Sequence, residues 1–277
     1  MLLFIKDSDI IFILGVDSMQ NIYFSNLSNA LKYIRKNSEE IYDGVYKMNN
    51  GTLIKKYIKE KSIERFDDFS EENILAFKDI YIEGIAFTRA LVYSNLHNIY
   101  ATITEYVPGE SIESKLLGDY PIGDLLLAIK KLEITIKKIS ELGICATDIY
   151  RGNIVYDGKN ITLIDTIEYH YSKDNISIIF EDNMLGIMNE IFTSIFYKDG
   201  LDSVKRVHKY FSLHGSNFEC FNSRENLMNP CETLIKIKKF IEEDFGIKLN
   251  TFNECHSFIE EVILKEKNKS KILSLFK

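Results

Sequence analysis

Tryptophan is absent, proline occurs three times and cysteine four times in 277 residues. With so few prolines and 14 glycines, the chain lacks the material of flexible linkers and disordered tails, and order is expected nearly throughout. Cys145, Cys220, Cys231 and Cys255 form no Cys-x-x-Cys pair, and no histidine stands at zinc-ligand spacing from them. Neither a metal knuckle nor a disulfide framework is therefore expected, and a reducing cytoplasm fits best. No stretch reaches the roughly 18 apolar residues that a membrane span needs. The apolar opening to Val16 is broken by Lys6, Asp7 and Asp9, unlike a secretory signal. Positive charge is also short. Forty-one acidic against 34 basic residues give a net charge of -7, spread along the chain, so general DNA or RNA binding is excluded.

What is present is enough apolar material for a large core: 45% of the residues are hydrophobic and 12% aromatic, which suits one unit of two lobes. The first third predicts short strands at Ile10–Leu14, Asn21–Phe24, Gly44–Met48 and Thr52–Ile58, with Asn49-Asn50-Gly51 as a hairpin turn. A helix is expected from the N-cap Ser70 to about Phe87, followed by strands over Arg89–Tyr93 and Ile99–Val107. After Gly109 the period changes. Leu125, Ile129, Leu132, Ile136, Ile139 and Leu142 recur every three or four residues, an amphipathic helix closed by Gly143. Short strands at Asn153–Tyr156 and Ile161–Ile164 flank the turn Asp157–Asn160. Helices are expected at Asn183–Tyr197, Leu201–Leu213, Pro230–Phe245 and Phe252–Phe276.

The informative stretch runs from the end of the long helix to Asp165. Asp148 and Asn153 stand five apart in a loop, and the hairpin that follows delivers Asp165. Three short oxygen-bearing side chains gathered around one pocket suit a hard cation that bridges phosphates. In phosphoryl transfer Asn153 and Asp165 would hold magnesium, and Asp148 would orient the attacking hydroxyl and take its proton. Taken singly, each is an ordinary turn residue; the spacing is what joins them.

This region resembles the catalytic and metal-binding loops of the protein kinase-like superfamily, which includes aminoglycoside and other small-molecule kinases. Asp148-x-x-x-x-Asn153-Ile matches its Asp-x-x-x-x-Asn, Leu163-Ile164-Asp165 matches the strand that ends in the metal-binding Asp, and Arg151-Gly152 also look family-like. The resemblance implies an α+β, two-lobed protein kinase-like fold: an antiparallel-sheet N-lobe with one helix over residues 1–107, and a mainly helical C-lobe over 108–277. It implies ATP and Mg2+ as partners. Thr104–Ile112 looks like the hinge that binds adenine through backbone groups, here those of Glu105 and Val107. Thr52-Leu53-Ile54-Lys55 resembles the strand that carries the phosphate-contacting lysine, with Lys55 preferred to Lys56. Glu83, with Glu72 as the alternative, would pair with that lysine from the helix, although a solvated glutamate is as natural a reading of either.

The departures are informative too. The glycine-rich loop is reduced to Asp43-Gly44-Val45-Tyr46-Lys47, so fewer N–H groups can approach phosphates. Ala146-Thr147-Asp148 replaces His-Arg-Asp, which removes the arginine that would meet a phosphorylated activation loop. Asp165-Thr166-Ile167 replaces Asp-Phe-Gly, and the next helix arrives within about twenty residues of it. The leading expectation is a divergent Ser/Thr protein kinase. A small-molecule kinase and a pseudokinase that only binds or scaffolds are the alternatives, so the acceptor is either a protein or a small-molecule hydroxyl. His97, His170, His208, His214 and His256 share no spacing and are expected at the surface or in packing, and Cys145, with no base beside it, in packing. The lysines of residues 236–239 and 265–271 alternate with Glu and apolar residues as solvated helix faces do.

Overall fold

The computed structural model describes residues 10–13, 21–56, 70–94, 99–216, 218 and 221–274. The rest of the opening run to Val16, the expected strand ends Leu14 and Ile58, His97, Cys220 and Phe276 lie outside them. The architecture is α+β. The chain divides into two compact units, residues 1–107 with 164–170 and residues 108–163 with 171–277.

The first unit contains β1 (Ile10–Ile13), β2 (Ile22–Phe24), β3 (Ser38–Tyr42), β4 (Val45–Met48), β5 (Thr52–Lys56), β6 (Ala90–Tyr93) and β7 (Ile99–Glu105). They form one sheet in the order β1-β2-β6-β7-β5-β4-β3. The Asn49–Gly51 turn joins β4 to β5, with Gly51 at φ +82°, a conformation that glycine adopts without a Cβ penalty. The expectation of an antiparallel sheet is corrected at one joint, where β2 runs parallel to β6 with Ile22 opposite Val92. The chain between them includes the whole β3–β5 meander, and parallel neighbours need such a long crossover.

The expectation of one helix over residues 70–87 is also corrected. The long helix of this unit is α1 (Leu27–Asn37), which begins where Asn26 accepts from the Asn29 N–H at 3.0 Å and ends on Arg35 and Lys36. Its Ala30 and Ile34 enter a core with Phe24, Tyr46, Ile54, Val92 and Ala101. Over residues 70–87 only α2 (Glu71–Ile74) forms, although Ser70 caps it as expected by accepting from the Asn73 N–H. The buried guanidinium of Arg89 explains the early stop: its Nη1 donates to the carbonyls of Phe77 at 3.4 Å, Lys78 at 2.9 Å and Ile80 at 2.5 Å. A non-helical path thus has its carbonyls satisfied, and β-branched Ile80 and Ile82 followed by Gly84 favour it. Strand β6 shows why the sheet is covered twice. Ala90 and Val92 join the α1 side, while Leu91 and Tyr93 pack with Ile74, Leu75 and Ile167, as alternate strand residues must.

The second unit contains β8 (Glu110–Ser111), α3 (Ile122–Glu141), β9 (Ile144–Cys145), β10 (Ile154–Tyr156), β11 (Ile161–Leu163), α4 (Ile176–Phe196), α5 (Leu201–Leu213), α6 (Arg224–Met228), α7 (Pro230–Phe245) and α8 (Cys255–Ser274). Helix α3 buries Leu125, Ile129, Leu132, Ile136 and Ile139 and stops at Gly143, at φ +76°. Helix α4 starts at Ile176, under the N-cap Asn175, rather than at Asn183. Its buried residues include Ile179, Met184, Ile187, Met188, Ile191, Phe192, Ile195 and Phe196, so it is the core helix of this unit. The β10–β11 hairpin closes on Asp157, whose Oδ1 accepts from the N–H groups of Lys159 and Asn160, each at 2.7 Å. Among the described residues no helix is long and apolar enough to cross a membrane.

One buried group in this unit makes folding pH-dependent. His256 is 1% exposed, and neither ring nitrogen finds a hydrogen-bond partner among the described residues. Burial, reinforced by the cations of Lys198 and Arg206, lowers its pKa to about 4 against the opposing charges of Asp199 and Asp119. The unfolded chain takes up this proton near pH 6.5, roughly as a free imidazole does, and the folded chain does not until about 4. Stability is thus full above 6.5 and declines as the pH falls through this window, by about 3 kcal/mol in total. Chemical denaturation of wild type and His256→Leu from pH 7.5 to 4.5 checks this: the wild-type midpoint should fall more steeply, and parallel slopes would refute it.

Candidate active site

In the second unit, Asp148 follows β9 and precedes a 3₁₀ turn over Arg151–Asn153. Asp148 has φ +53° and Asp165, in the first unit, has φ +58°; among the described residues no other non-glycine residue has a positive φ. A left-handed conformation costs an L-residue roughly 1–2 kcal/mol, less where a short polar side chain bonds locally. At Asp148 that local bond comes from Asn153, which is 4% exposed. Its Nδ2 donates to the Asp148 carbonyl at 3.0 Å and to Asp148 Oδ2 at 3.2 Å. With Nδ2 so engaged, Oδ1 is the atom that Asn153 can offer a cation.

Two further side chains fix this loop, Asn183, which was not singled out from the sequence, and Arg151. Asn183 of α4, 2% exposed, accepts from the Ala146 N–H at 2.8 Å and donates to Ser140 Oγ and the Ile144 carbonyl, both at 2.9 Å. Every polar atom of the amide is used, and the chain leading to Asp148 is tied to α3 and α4. The available signal was an Asn one turn after Ile179 and one turn before Ile187 on the apolar face of the helix, where it needs partners. Arg151 approaches Glu190 with Nε to Oε2 at 3.8 Å and lies over the Tyr197 ring at 4.2 Å.

In the first unit, Lys55 projects from β5, which lies between β4 and β7, and its Nζ pairs with Asp165 Oδ2. The side chains are 32% and 13% exposed, so the pair is partly shielded from water. The chain after Asp165 is anchored within the same unit. Thr166 Oγ1 donates to the Ala86 carbonyl at 3.3 Å, Ile167 packs near Ile74 and Leu91, and Tyr169 sets its ring edge-on to Phe87. The side chain of Lys56 lies outside the described residues. Glu83 stands exposed on the Glu83–Gly84 turn and not on a helix, and Glu72 is exposed on α2.

Gly44 closes the two-residue turn between β3 and β4, and its N–H donates to Glu40 Oε1 at 3.1 Å. At the end of β7, the Tyr106 N–H donates to the Gly51 carbonyl at 3.1 Å and Thr52 faces Glu105. That makes Thr52–Glu105 a non-hydrogen-bonded pair, so the backbone groups of Glu105 point away from β5. Val107 follows two residues beyond the end of β7. The Glu105 carboxylate meets Arg89 Nη2 at 3.4 Å.

The donor chemistry suits Mg2+, which takes oxygen ligands, keeps several waters and binds through one or two carboxylates together with phosphates. Asp165 and Asn153 are donors of this kind. Among the described residues no three His, Cys, Asp or Glu side chains could hold a metal by themselves. No protein-family model matches the chain and no curated protein matches it, so its own residues and their geometry are what bear on function.

Proposed function

We propose that the chain is a protein kinase-like phosphotransferase that moves the γ-phosphoryl group of ATP to a hydroxyl acceptor, its two units acting as the two lobes of that fold. The observation that carries the proposal is the coincidence at Asp148 and Asp165. The two aspartates picked out by spacing are also the two described non-glycine residues in a left-handed conformation, and such strain collects at functional sites. The roles follow from the chemistry. In the first unit Lys55 would neutralise phosphate oxygens and the Asp165 carboxylate would hold the cation; in the second, Asn153 Oδ1 is a cation donor and the Asp148 carboxylate would orient the acceptor and take its proton as the new O–P bond forms and the bond to the ADP oxygen breaks. Bound Mg2+ supplies charge neutralisation on the phosphates. The Glu105 carbonyl and the Val107 N–H, an acceptor and a donor two residues apart, would match the amino group and ring nitrogen of adenine.

The short connection after Asp165 bears on the acceptor. Helix α4 begins at Ile176, so only residues 166–175 separate it from Asp165, and residues 164–170 are taken up by packing in the first unit. This leaves little chain to line up an extended peptide and favours a small-molecule hydroxyl over a protein. A non-catalytic nucleotide-binding module is the second reading, favoured by the single glycine of the β3–β4 turn. The test is transfer from γ-labelled ATP with Mg2+, offered a filtered metabolite pool and, separately, lysate protein. Label should enter the metabolite pool, and Asp165→Ala should lower transfer by at least about 100-fold. Equal transfer by wild type and Asp165→Ala would refute the proposal, and label in protein alone would return the acceptor to a protein kinase substrate.

A further inference from the structure

The β3–β4 hairpin turns on Asp43 and Gly44 alone, with Tyr42 directly opposite Val45. Gly44 is the turn's one glycine, at φ +75°, and its N–H is held by the Glu40 carboxylate at 3.1 Å. An N–H has one proton to give, so a nucleotide phosphate oxygen and the Glu40 carboxylate are direct competitors for it. Charge works in the same direction. Glu39, Glu40 and Asp43 fall within five residues, and the one cation over residues 38–48, Lys47, lies over the Tyr106 ring at 3.9 Å. Within β3 the register shifts between Glu40 and Tyr42; a bulge of this kind re-aims side chains near the end of a hairpin.

Resting on the phosphotransferase reading, we infer that Glu40 is a specificity-determining residue that occupies the Gly44 N–H as a phosphate oxygen would, and so penalises nucleotides according to their phosphate charge. Binding then draws on the hinge edge, Lys55 and the cation, while the β3–β4 turn opposes each added phosphate. Glutamine at position 40 would keep an acceptor for Gly44 but remove the negative charge, and alanine would release the N–H altogether.

The experiment compares dissociation constants of Mg-ATP, Mg-ADP and adenosine for wild type, Glu40→Gln and Glu40→Ala by calorimetry, with melting curves to match the folded fractions. The expected result is that both variants tighten Mg-ATP by about tenfold, Mg-ADP by less, and adenosine by less than about twofold. Unchanged or weaker Mg-ATP binding in both variants overturns the inference and leaves Glu40 as a hairpin cap. An equal gain for adenosine and Mg-ATP also overturns it, because charge would not be the cause. If neither adenosine nor Mg-ATP binds any variant, the phosphotransferase reading itself falls; measurable adenosine binding separates that failure from the failure of the inference.

Discussion

Asp148→Asn is expected to lower phosphoryl transfer by about a thousandfold while Mg-ATP still raises the melting temperature as it does in wild type. The expected size is that of a positioned general base, about 100- to 10,000-fold. Asparagine is the informative replacement because it tolerates the left-handed backbone that Asp148 adopts at φ +53°. Its side-chain carbonyl can also go on accepting from Asn153 Nδ2, which reaches Asp148 Oδ2 at 3.2 Å. Loop shape is thus retained and only the ionised carboxylate is lost. Single-turnover transfer with saturating ATP reads the chemistry, and the thermal shift with Mg-ATP reads binding through mass action. Wild-type turnover in Asp148→Asn would remove Asp148 from the mechanism. A shared thermal shift with no transfer by either protein would favour the non-catalytic module.

Much of the fold was legible where one local rule acted alone. Asn49-Asn50-Gly51 could be read as a turn because positive φ at Gly51 needs no tertiary help. Helix α3 could be read from its period and its closing Gly143, and α5 and α7 have the bounds expected of them. What stayed illegible depended on partners distant in sequence. Helix α1 carries only a short apolar stripe between Leu27 and Ile34, and composition favoured strands around it. Strand β3 opens with Ser38, Glu39 and Glu40, which a strand tolerates here because it sits at the edge of the sheet. The first turns of α4, Ile176 to Phe180, precede the expected start at Asn183; their β-branched isoleucines give little helix signal, and the Asn175 side chain, which accepts from the Ser177 N–H, starts the helix there. At the candidate site, spacing located Asp148, Asn153 and Asp165. It could not show the left-handed backbone of the two aspartates, nor Asn183 holding the loop from 37 residues away at Ala146.

The largest effect on stability is expected at Arg89, the residue that turned an anticipated helix into an irregular segment. Its side chain is 3% exposed and serves the carbonyls of Phe77, Lys78 and Ile80, with Tyr81 across its face at 3.9 Å. Arg89→Met keeps the apolar stem but leaves those carbonyls without their donor in a partly buried place, while the Glu105 carboxylate, 46% exposed, turns to water. A buried acceptor left without its donor costs about 1–3 kcal/mol, and with several carbonyls losing theirs at once the total should stand well above the roughly 1 kcal/mol typical of a substitution. Arg89→Lys should recover only part of this, because an ammonium cannot reproduce the planar fork that reaches two sides at once. Equilibrium denaturation gives the total loss, and amide exchange over residues 75–82 and 99–105 shows where it falls. A loss within about 1 kcal/mol in Arg89→Met would mean that water satisfies these carbonyls. The segment also carries Glu83, and the salt bridge reaches Glu105 at the proposed adenine edge. Arg89→Lys should therefore weaken adenosine binding while leaving unchanged the ratio of Mg-ATP to adenosine affinity, which is set elsewhere, at Lys55 and Asp165.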